Sequence, residues 1–180
     1  MSELSGMALI FGGALGLLYA PFVFYPAAML RFLRGFHRNV WAGRVLAAVD
    51  LLWAGWLLRA MPLPWLEPYK TWLIPLVPVV FALTVWLLND LLAARALGGL
   101  LLLAPSPLLA AAFLHPSPWR LVVVVLAYVM AVKGIFLVLS PYLFRKAVAR
   151  WATSSGICRK AGGLGLALGL FIVYLGLRVY

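Results

Sequence analysis

Apolar positions run along this chain in long stretches, without the polar alternation of a half-buried strand or the polar face of a soluble helix. Such stretches extend from Met7 to Met29, Val40 to Leu58, Trp72 to Leu88, Leu91 to Leu114, Leu121 to Ser140 and Ala161 to Leu177. About 20 apolar residues are needed for a helix to cross the hydrocarbon core, where every backbone group must bond within its own helix. The pattern therefore predicts an all-α, polytopic transmembrane helical bundle. It forms one transmembrane domain over residues 1–180, with about six spans near 7–29, 40–58, 72–88, 91–114, 121–140 and 161–177. The fourth is the ambiguous span, because Pro105-Ser106-Pro107 removes two backbone donors and is expected to bend or break it.

Composition agrees with a bilayer protein. Hydrophobic residues make up 66% of the chain and charged residues 11%, against about 45–50% and about 25% in soluble domains. In a soluble domain the net charge of +11 would point to nucleic acid. Here the basic residues stand at segment ends and form no RNA-binding signature, so nucleic acid is excluded as a partner and membrane orientation accounts for the charge. With six crossings, one face carries Arg31, Arg34, Arg38, Arg44, Arg95, Arg145, Lys146, Arg150, Arg159 and Lys160; the other carries Arg59, Lys70, Arg120 and Arg178. Ten against four places both termini on the non-cytoplasmic side, and short loops with this bias suit a bacterial inner membrane. Five crossings would put the two most basic loops on opposite faces. The first residues lack the basic region of a secretory signal and the apolar run after them is too long for one, so the first helix is expected to be retained.

The chain also resembles itself. Pro26 to Arg38 follows the first span and Pro141 to Trp151 follows the fifth; each opens with proline and mixes cations with apolar residues at near-helical spacing. Such segments suit the membrane surface, which makes Arg31, Arg34, Arg38, Arg145, Lys146 and Arg150 candidate contacts for anionic lipid. Each leads into a helix opened by a base and small residues. This organisation reads as three helical hairpins, the outer two related by duplication. The connections 61–69 and 115–119, rich in proline and aromatic residues, would lie at the opposite interface.

Within the last 60 residues, Lys133-Gly134, Pro141, Arg145-Lys146, Arg159 and Gly162-Gly163 through Gly169 follow one another in order. That order resembles the YjeT-like proteins, a small two-helix bacterial inner-membrane family of unknown function. The resemblance covers about a third of the chain and departs from the family at Lys133, where a carboxylate is usual. It implies a membrane hairpin and no particular activity.

Two ionisable residues fall well inside spans. At about 1.5 Å per residue, Asp50 lies ~15 Å and Lys133 ~10 Å from the cytoplasmic ends of their helices. A charge at that depth costs about 2.5–3.5 kcal/mol on insertion scales and needs a partner, a cavity or a route to the interface. Their similar depths and opposite charges make Asp50 and Lys133 a candidate intramembrane ion pair, or alternatively parts of an ion pathway.

Other chemistry is sparse. His37 and His115 fall on opposite faces and cannot share a metal or haem, the single cysteine Cys158 has no partner thiol, and the acids Glu3, Asp50, Glu67 and Asp90 are scattered over different depths. No cofactor, metal site or catalytic residue is therefore expected. Gly12 and Gly16 in the first span, and Gly165 and Gly169 in the sixth, stand four residues apart, the spacing that lets helix backbones approach closely. The expectation is a non-enzymatic inner-membrane protein, an accessory or assembly subunit with a membrane-protein partner or a second copy of itself. A small solute or ion transporter using Asp50 and Lys133 is the alternative; a lipid-handling enzyme ranks last.

Overall fold

The computed structural model describes the chain apart from residues 1, 37–38, 61–66, 88–91, 114, 141, 143–145 and 147–154. The described residues form helices α1 (Glu3–Phe24), α2 (Pro26–Phe36), α3 (Val40–Ala60), α4 (Glu67–Leu87), α5 (Leu92–Leu103), α6 (Pro105–Phe113), α7 (Arg120–Leu139) and α8 (Ser155–Arg178). The fold is all-α, and this is a multi-pass membrane protein. Among the described residues five stretches are long and apolar enough to cross a bilayer, with α5 and α6 counted together as Leu92–Phe113, and the bent α4 makes a sixth when its two parts count as one span. The single domain read from the sequence divides into two compact units, 1–35 with 104–132 and 145–180, and 36–103 with 133–144.

Prolines explain where the span boundaries differ from expectation. The first span stops at Phe24 and not at Met29, since Tyr25 ends α1 by donating its N–H to the Pro21 carbonyl and Pro26 opens α2. Proline at a first helical position loses no bond, because that N–H has no intrahelical acceptor. The same reason keeps the fourth span together. Pro105 and Pro107 sit in the first turn of α6, so the missing donors are ones that a helix start leaves unpaired in any case. The break falls in the third span instead. Pro75 and Pro78 lie inside α4, and its parts Glu67–Leu73 and Pro75–Trp86 meet at 47°. The sixth span starts earlier than Ala161, at Ser155.

In the first unit, α1 and α8 make the most extensive helix pairing. They run antiparallel: Phe22 meets Gly162, Tyr19 meets Gly165, Gly12 meets Gly169 and Ile172, and Ala8 meets Gly176. Ser2 caps α1, its hydroxyl accepting from Ser5 N at 3.1 Å and donating to the Tyr180 carbonyl at 2.9 Å. The two ends of the chain therefore lie at the same end of this unit. Leu4, Leu108, Ala112, Val123 and Ala127 from α1, α6 and α7 form one buried cluster, and Ala8, Leu126 and Ile172 another.

In the second unit, α3 and α5 run parallel. Gly43 meets Leu92 and Ala93, Ala47 packs with Leu92 and Ala96, and Asp50 meets Gly99. Between two parallel helices the chain must come back, and α4 brings it, packing antiparallel on α3 through Gly55 and Val77. The antiparallel α1 and α8 require an even number of crossings as well. Six crossings satisfy both. Packing does not follow the expected hairpins, because α1 pairs with α8 in one unit while α3 pairs with α4 and α5 in the other.

Candidate functional site

Small residues set the geometry around the intramembrane acid. On α5, Ala93, Ala96, Gly98 and Gly99 bring neighbouring helices close, and the two adjacent glycines meet different ones. A Cβ on Gly99 would lie 2.6 Å from Asp50 Oδ2 of α3. A Cβ on Gly98 would lie 3.0 Å from the Gly134 carbonyl of α7 and 2.9 Å from Leu137 Cβ. Asp50 and Gly134 thus stand at one level, on either side of α5. Asp50 Oδ1 is buried, with no hydrogen-bond partner among the described residues.

The expected ion pair is not formed. Lys133, next to Gly134, is exposed on α7, and the ion pair among the described residues joins Lys70 to Glu67 at 2.7 Å. Similar depth does not specify azimuth: Asp50 turns to Gly99 of α5, while Lys133 is exposed. Toward the other end of α3, Arg44 stacks over Trp41 with its guanidinium carbon 5.6 Å from the ring centroid; its Nε is buried and unbonded among the described residues.

The four candidate packing glycines meet at one crossing. A Cβ on Gly169 would lie 2.7 Å from Gly16 N and 2.9 Å from the Gly12 carbonyl; at Gly165 it would overlap the Tyr19 ring. Of the candidate lipid contacts, Arg31 is exposed on α2 and Lys146 is exposed; Arg38, Arg145 and Arg150 lie outside the described residues, as do His37 and Asp90.

Sequence reasoning missed a polar cluster at the terminal end of the first unit. Tyr180 donates its hydroxyl to the Trp119 carbonyl at 2.7 Å and packs its ring edge-on to His115, centroids 5.3 Å apart. Arg120 donates to the Phe113 and His115 carbonyls at 3.0 and 2.9 Å, and His115 Nδ1 accepts from Ser117 N at 3.2 Å. Burial pushes the Tyr180 phenol up, so it stays protonated and remains a donor. Each group here satisfies a backbone atom, leaving no nucleophile beside a base. The residues 115–119 stand out in the sequence as an aromatic break, but nothing in it signals that Tyr180 returns to them. Among the described residues no three of His, Cys, Asp and Glu gather as metal ligands.

Against known proteins, no family model matches the chain, and neither curated proteins nor solved structures match it.

Proposed function

We propose that the protein acts without catalysis, as a small accessory or assembly subunit of a larger complex in a bacterial inner membrane. The observation that supports this reading is Lys133. It stands exposed six residues before the end of α7, with Ile135, Phe136 and Leu139 exposed around it. Asp50, the acid well inside a described span and not at its first turn, faces Gly99 instead. A cation inside a span, with no acid beside it among the described residues, fits a surface that a second membrane protein completes. The basic bias supports an orientation with both termini outside the cytoplasm.

Purification in mild detergent at native expression tests the subunit reading. A membrane protein should co-migrate in fixed stoichiometry, decline in Lys133→Met and return in Lys133→Arg. A lone monomer or homodimer that Lys133→Met does not alter would contradict it. Transport is the second reading, favoured by the Asp50 oxygen that finds no hydrogen bond among the described residues and by the bent α4, since broken helices and intramembrane acids are transporter devices. Loss of cellular function in a folded Asp50→Asn, with assembly unchanged, would favour it.

A further inference from the structure

Helix α2 occupies a place that geometry restricts. One residue separates it from the end of α1 and three from the start of α3, and both of those helices are long and apolar enough to span. A helix of 11 residues, about 16 Å long, tied at both ends to spans on one face of the membrane, lies at that face. Its residues are sorted accordingly. Ala27, Ala28, Arg31 and Gly35 are exposed, whereas Met29, Leu30, Leu33 and Phe36 are partly covered. Phe32, at the edge of the covered side, is 52% exposed. Arg34 follows Arg31 by three residues, the spacing of neighbours on one helix face. From Leu4 to Val49 the sequence has Arg31, Arg34, Arg38 and Arg44 and no acid at all.

We infer that α2 is a docking surface for anionic phospholipid headgroups, with Arg31 meeting phosphate, Arg34 adding a positive charge one helical turn further on, and Phe32 reaching the acyl boundary. Charge complementarity selects this occupant: the segment carries arginines and no acid, so zwitterionic lipid gains little from it, while an anionic headgroup gains from each arginine. Phenylalanine beside arginine suits the boundary between headgroup and chain. The inference does not depend on the subunit reading, since lipid contact needs no protein partner.

The test is lipid retention by the full chain in mixed micelles containing equal phosphatidylglycerol and phosphatidylcholine. Wild type should retain phosphatidylglycerol in preference. Arg31→Gln and Arg34→Gln should each lower that preference about fivefold, and Arg31→Lys with Arg34→Lys should keep it. In wild type the preference should fade towards about 1 M salt, where the screening length is about 3 Å; this arm requires no variant to fold. Equal retention of the two lipids, a preference insensitive to salt, or lysine variants as impaired as the glutamine ones would overturn the inference. An acidic protein segment as the true occupant would appear as the first of these.

Discussion

The carboxylate of Asp50 rests against the bare backbone of Gly99, its Oδ2 2.6 Å from where a Cβ would stand. Glycine here makes room for a polar side chain, while at Gly98 it makes room for another backbone. The two substitutions should therefore behave differently. Gly99→Ala meets the end of a side chain that can swing away, and Asp50→Ala should recover most of what it loses. Gly98→Ala meets the Gly134 carbonyl and Leu137 Cβ, and Asp50→Ala should recover none of it. Overpacking of this kind costs roughly 1–3 kcal/mol, and coupling between touching residues about 0.5–3 kcal/mol. Unfolding in mild detergent measures both; equal behaviour of the two glycines would refute the assignment.

The α1–α8 crossing provides a comparison within each helix. Gly12→Leu and Gly169→Leu should each sharply lower the folded yield, since their side chains would enter the facing backbone. Gly13→Leu and Gly163→Leu should be tolerated, as nothing lies within 4 Å of either position. Size-exclusion profiles in detergent decide the matter, and four equal losses would mean that the crossing is not where it is drawn.

These glycines also mark how far the sequence can be read. Spacing of four identifies Gly12, Gly16, Gly165 and Gly169 as contact positions, but it does not say that the first helix meets the last. Apolar runs locate the spans because membrane crossing is a one-dimensional requirement of length. Proline count misleads, because Pro105 and Pro107 at a helix start cost little while Pro75 and Pro78 inside α4 bend it. Asp50 and Lys133 follow the same logic, since sequence supplies their depth and packing alone supplies their direction.

The polar cluster at the terminal end should contribute measurable stability. Ser2→Ala removes the cap of α1 and the bond to the Tyr180 carbonyl, and a lost cap costs about 0.5–2 kcal/mol. Tyr180→Phe removes the bond to Trp119, worth about 0.5–1.5 kcal/mol. Thermal unfolding in detergent should show both losses, with that of Ser2→Ala shrinking if residues 119 and 180 are no longer joined. Unchanged midpoints for both variants would show that the cluster is not formed in the membrane protein.

The claim on which the rest depends is six crossings with the two termini on one face, and reporters fused separately before Ser2 and after Tyr180 test it directly. Ser2 and Tyr180 are hydrogen-bonded and α1 runs antiparallel to α8, so both positions should report the same compartment. The orientation proposed from the ten-to-four distribution of Lys and Arg has the non-cytoplasmic side as that compartment. A reporter active only in the cytoplasm should therefore be silent at both ends, and one active only outside should be on at both. A cytoplasmic signal at Tyr180 with a silent N-terminal fusion would mean an odd number of crossings, and would contradict the account.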